Sequence, residues 1–209
     1  MKKNIHLFVM SIGATMIMSG CGNNNNETVS ISDVKELAEK TEDAMEESTK
    51  RQEARKAKGD TIAMPYNTLQ TYLPSIGGYN KEGGPEGNQM NMPGMGSWSQ
   101  VSQTYSVGNK NINVTLFDYN GALTAFTGAT ALYSMGFSQE NDQTKSGSVD
   151  LGIPGVSAYE TIYKQEQRAE LILMVVDRFF VQMNLEGSND VNLLKDAAKS
   201  MNLKDLTSR

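Results

Sequence analysis

The chain has 209 residues and a formal net charge of −5 at pH 7, with a single histidine and a single cysteine. That length suffices for one domain with a real core, or for a smaller domain on a stalk. The acidic balance, and the lack of any Arg/Lys cluster interleaved with aromatics, speaks against a nucleic-acid partner.

The chain opens with Lys2 and Lys3, followed by an apolar run from Leu7 to Met18 and then Ser19-Gly20-Cys21-Gly22. A run of about a dozen apolar residues fits the core of an export signal. It is too short to cross about 30 Å of hydrocarbon as a permanent helix. Met18-Ser19-Gly20-Cys21 resembles the lipobox of bacterial lipoproteins, with Met18 where leucine is usual. The resemblance implies that residues 1–20 are a signal peptide and that the Cys21 thiol carries a diacylglycerol. It also implies an often acylated new amino terminus, so that two or three acyl chains such as palmitate tie the protein stably to a membrane. Gly22 stands where an aspartate would resemble an inner-membrane signal, so the same resemblance points to the outer membrane. No acidic block follows the cysteine, which favours the periplasmic face. Residues 21–30, with Asn23 to Asn26, read as a flexible tether of poor helix propensity.

This reading limits the chemistry. His6 leaves with the signal and Cys21 is lipidated, so the mature chain holds no imidazole and no free thiol. Ser-His-Asp and Cys-His catalysis, Cys/His zinc sites and disulfides are excluded on that reading. No cofactor is expected. Carboxylate chemistry survives as a possibility, with Glu160 and Asp177 as a pair on neighbouring strands.

Residues 31–58 read as a long charged spacer helix. Acidic side chains fill its first two thirds and basic ones its last third, which suits the helix dipole. Glu46–Lys50 and Glu47–Arg51 are favourable i,i+4 pairs. The globular domain is expected over 61–209. Pro65 opens a short helix carrying Tyr66, Leu69 and Leu73, and Pro74 closes it. A glycine- and methionine-rich stretch, 75–97, reads as a long loop. Its Met90, Met92 and Met95 offer soft thioethers suited to Cu(I), although methionines pinning the loop to the domain are the simpler account. Trp98 to Val107 and Asn111 to Tyr119 form a hairpin around Gly108-Asn109. A helix follows over 122–135, with Gly128 inside it and Gly136 as its cap. The stretch 137–155 reads as a connection. Three strands then run over 156–163, 169–176 and 179–185, turning at 164–168 and at Asp177-Arg178. Val191, Leu194, Ala198 and Met201 give the apolar face of a last helix, 190–200, capped by Ser188 or Asn189.

The expected fold is therefore α+β, a five-stranded, mainly antiparallel sheet with helices packed on one face, preceded by the charged spacer helix. The expected function is that of an envelope lipoprotein acting as a binding or interaction module. Its partners are the membrane, through the Cys21 lipid, and an envelope protein or small ligand met by Tyr79, Trp98, Asp177 and Arg178. A structural subunit or spacer of an envelope assembly is the alternative, ahead of a carboxylate enzyme or a Cu(I) binder.

Overall fold

The computed structural model describes residues 46–92, 96–120 and 138–209. The signal, Cys21, the tether, residues 31–45 of the expected spacer helix, Met95 and the helix expected over 122–135 lie outside the described residues. The described part of the spacer helix is docked on the domain through Asp177 instead of standing off as a spacer. Residues 46–57 are helical and are labelled α1. A short helix α2, Tyr66–Leu69, continues into a 3-10 turn, Gln70–Tyr72.

The sheet has eight strands, not the five expected, in the order β1-β2-β3-β8-β7-β6-β5-β4. The strands are β1 Asn80–Met92, β2 Gly96–Val107, β3 Lys110–Asp118, β4 Ser138–Glu140, β5 Thr144–Val149, β6 Val156–Tyr163, β7 Arg168–Val175 and β8 Phe179–Glu186. Every neighbouring pair is antiparallel. Two meanders, β1–β3 and β4–β8, join where β3 pairs with β8.

The three additional strands fall in 75–97 and 137–155, both expected to be connections. Their residues explain why. Strand β1 is exposed along almost all its length, so no apolar alternation marks it. Its Gly83, Gly84 and Pro85 sit where the β1–β2 register slips between Glu82 and Glu86, a bulge that the sequence presents as loop punctuation. Strands β4 and β5 are short, β4 exposed and β5 at most half-buried, so neither carries a buried apolar face.

The core lies on one face of the sheet. Val101 and Tyr105 of β2, Ile112, Val114 and Leu116 of β3, Val181, Met183 and Leu185 of β8 and Leu171, Leu173 and Val175 of β7 are buried there in register. Period-two burial in β2, β3 and β8 is the signature of strands with one covered face. Two helices cover it: α3, Val191–Ser200, and α4, Leu203–Leu206. Leu194, Leu203 and Leu206 insert fully. The α3 N-cap is Asp190, whose side chain accepts from the Asn192 N–H at 3.1 Å. Ser188, expected as the cap, instead accepts from the Asp190 N–H at 3.2 Å. The carboxyl end is tied down by Tyr72, whose hydroxyl bonds the Asp205 carboxylate, itself paired with Arg209 at 2.9 Å. Among the described residues no helix is long and apolar enough to cross a membrane.

Candidate functional site

The β7–β8 turn gathers the densest set of charges among the described residues. Val176 adopts a left-handed φ of 49° there, which throws Asp177 and Arg178 to different sides of the turn. The sequence presents this corner as exposed. The structure instead buries both side chains, at 6% and 5% exposure.

Arg178, at the end of the central β3–β8 pair, reaches across to Asp118, the last residue of β3. Its Nε donates to Asp118 Oδ1 at 2.9 Å and its Nη2 to Oδ2 at 2.8 Å, a bidentate fork. Its Nη1 donates to Asp60 Oδ2 at 2.7 Å. Asp118 is fully buried. Its Oδ2 also accepts from the Met64 N–H at 2.8 Å, and its Oδ1 from the Asn120 N–H at 3.0 Å. Asn120 Nδ2 closes the ring by donating to Asp60 Oδ1 at 2.8 Å and to the Ile62 carbonyl at 3.1 Å. Burial alone works against the guanidinium charge, but the Asp118 hydrogen bonds, together with the charges of Asp118 and Asp60, outweigh it and hold the Arg178 pKa above its ordinary value. The guanidinium also lies 4.9 Å from the Phe179 ring centroid.

The cluster continues along the strap 60–64. Ser97 Oγ accepts from the Ala63 N–H at 2.9 Å and donates to Asn91 Oδ1. Ser99 Oγ donates to the Met64 carbonyl at 2.6 Å. Thus β2, the end of β3 and the β7–β8 turn all hold the strap that leads from α1 into the domain. With every oxygen of Asp118 engaged by two donors, the arrangement is a closed joint. It offers no free base, acid or metal ligand.

Asp177 faces the other way. Its carboxylate receives Arg55 Nη1 at 3.2 Å, Arg51 Nε at 3.3 Å and Ser48 Oγ at 3.3 Å, all from α1. Residues 48, 51 and 55 recur at helical spacing, so one helix face meets one carboxylate. The expected i,i+4 pairs Glu46–Lys50 and Glu47–Arg51 also form, at 2.7 and 2.8 Å.

The remaining sequence-selected residues are scattered. Tyr79 packs partly against the core near the start of α3, and burial together with the Asp190 charge raises its hydroxyl pKa. Trp98 lies half-buried on β2, opposite Met90 of β1. Met90 and Met92 belong to a strand and not to a loop, and Met95 lies outside the described residues. Among the described residues no group of His, Cys, Asp and Glu is placed to hold a metal ion. Glu160 and Asp177 do not meet. Glu160 pairs with Leu171 in the sheet and its side chain binds Lys195 of α3 at 2.6 Å. Asp177 follows the strand end at Val175, roughly 13 Å further along at the usual rise.

Sequence reasoning singled out Arg178 and Asp177 but not their partners Asp118, Asp60, Asn120, Arg51 and Arg55. Asp118 carried one usable signal: it occupies an inward position in the alternating run Ile112, Val114, Leu116, and a carboxylate there requires a buried cation. The chain matches no family model, no curated protein and no solved structure.

Proposed function

We propose that this protein is a lipid-anchored envelope lipoprotein whose sheet domain works as an interaction module and not as a catalyst. The observation that carries the reading is the closed charge joint at Arg178 and Asp118, continuous with the seating of α1 on Asp177. These contacts fasten α1 and the strap, which precede the sheet on the Cys21 side of the chain, and pair the buried carboxylates with guanidinium groups. Such a joint suits a domain that must be held steadily at a membrane and present its surface. The lipobox-like residues around Cys21 support the anchor, Gly22 supports outer-membrane placement, and the lack of an acidic block directly after Cys21 supports the periplasmic face.

The test is metabolic labelling with a palmitate analogue and membrane fractionation of the full chain beside Cys21→Ser. The parent is expected to take up label and to pellet with outer membranes, and the variant to lose both. Label retained by Cys21→Ser, or a parent that stays soluble, overturns the anchor. For the module, formaldehyde treatment of cells is expected to trap the parent in discrete adducts. A parent that runs only as a free monomer after treatment argues against an interaction role.

A further inference from the structure

We propose that the free edge of β1 pairs antiparallel with the same edge of a second copy of this chain, in a register centred on Gln89. Strand β1 is the outer strand of the sheet at one end, so every second residue directs its backbone N–H and C=O away from β2. Its residues 80–88, 90 and 91 are exposed and Gln89 is half-buried, and among the described residues no strand pairs with this edge.

Edge strands are ordinarily blunted by charge, proline or a bulge. Here those devices are confined to the first half. Lys81, Glu82 and the Gly83–Pro85 bulge protect 80–86, whereas Gly87-Asn88-Gln89-Met90-Asn91-Met92 carries no charge and no proline. Exposed apolar groups border this half on both sides of the sheet. Met90, 42% exposed, lies on the face of Trp98. On the helix-bearing face the Tyr66 ring lies against Gly87, so close that a β-carbon there would fall 2.2 Å from the ring. Tyr66 itself is 42% exposed, and Ile62 on the neighbouring strap 60%.

Three features select a second copy as the occupant. Pro85 and Pro93 stand four residues to either side of Gln89, and proline cannot donate to a ladder. The pairing window 86–92 is therefore symmetric about Gln89, as a two-fold contact requires. A two-fold axis perpendicular to the sheet keeps like faces together, so residues of like parity must oppose. Centring on Gln89 satisfies this, placing Asn88 opposite the partner copy's position 90 and Gly87 opposite its position 91. No two like charges are set directly opposite in this register, because Glu86 meets position 92. The small Gly87 leaves room for the neighbouring Tyr66 ring at the seam. The inference is independent of the lipid anchor.

The test uses the full chain in detergent, with Asn88→Cys and Met90→Cys prepared separately and the parent, carrying Cys21 alone, as background. Opposed residues in this register lie within disulfide reach. Mild oxidation of the mixture is expected to give several-fold more linked dimer than either variant alone. Equal yields from the mixture and the single variants overturn the register. In parallel, the parent is expected to sediment as a dimer and Met90→Lys as a monomer with unchanged thermal unfolding, since position 90 is exposed and two lysines would crowd the seam. A monomeric parent at tens of micromolar overturns the proposal. So does a photo-crosslinker at position 88 that captures, in cells, a different protein and never this chain.

Discussion

At the residue scale, Asp118 and Arg178 fasten the molecule's centre. Removing one member of a buried, fully bonded pair strands the other charge, at a cost of about 3–5 kcal/mol. Asp118→Ala and Arg178→Ala are each expected to lose that much in urea unfolding. The double replacement of both by apolar residues of similar volume is expected to recover much of the loss. A loss below about 1 kcal/mol in either single variant contradicts the joint. Tyr105 gives a prediction in pH. It is buried in the core with its hydroxyl donating to the Pro74 carbonyl at 2.7 Å, and burial pushes its phenol pKa up from 10.0 to about 12. The folded state thus favours the neutral phenol. Its contribution to stability is complete below pH 10 and is lost as pH rises toward about 12. Tyr105→Phe is expected to flatten the stability profile in that window, at the cost of about 1 kcal/mol below it for the missing hydrogen bond. Absorbance titration of the phenolates checks the shift directly.

At the element scale, α3 shows how a helix of modest length is held by its packing. Its apolar residues Val191, Leu194, Ala197 and Ala198 face β7 and β8, and Asp190 satisfies its first turn. Leu194→Ala is expected to cost 2–5 kcal/mol by cavity formation, and Asp190→Ala about 1 kcal/mol by loss of the cap. The hairpin partner of this end, Gly187, has a φ of 77° and lies so near Asn109 that a β-carbon would come within 2.3 Å of its carbonyl oxygen. Gly187→Ala therefore combines backbone strain with a clash against main chain, and is expected to destabilise by more than about 1 kcal/mol, the opposite sign from a glycine replacement at a compatible backbone position.

Across the whole molecule, the contrast between the two neighbours at the β7–β8 turn sets how firmly each part is attached. Arg178 binds Asp60 of the strap at 2.7 Å and, at 2.8–2.9 Å, Asp118, which itself accepts from the Met64 N–H of the strap. Asp177 holds α1 through longer bonds of 3.2–3.3 Å, partly to the solvent-exposed Arg51. The half-buried residues of 46–57 are Ser48, Gln52 and Arg55, and the side chains that reach Asp177 are the polar Ser48, Arg51 and Arg55. The Arg51 half of this contact is exposed, contributes about 0–1 kcal/mol and weakens in salt. The Arg55–Asp177 half is mostly buried, at 13% and 6% exposure, and removing one partner of a buried pair costs about 3–5 kcal/mol. Asp177→Ala is therefore expected to strip hydrogen-exchange protection from residues 46–57 and to lower stability in urea unfolding by more than about 1 kcal/mol, whereas molar salt is expected to weaken only the Arg51 contact.

Local physics made much of this protein legible in its residues. Alternation of apolar and polar side chains marked β2 and β3, because each has one face to bury and period two reports that. The continuous apolar run Leu171 to Val175 instead marked β7, which is buried on both faces, with β6 and β8 read as strands on either side of it. Gly108-Asn109 and Asp177-Arg178 marked turns, and Val191, Leu194 and Ala198 marked α3 by helical spacing. What only the tertiary structure decided lies where burial is absent or long-range. β1, β4 and β5 bury little, so their identity comes from backbone pairing with neighbours, which leaves no apolar pattern to read. The joining of the two meanders at β3 and β8 brings Asp118 to Arg178 across sixty residues, and only that contact turns a corner that reads as solvated into the buried fastening of the strap and of α1.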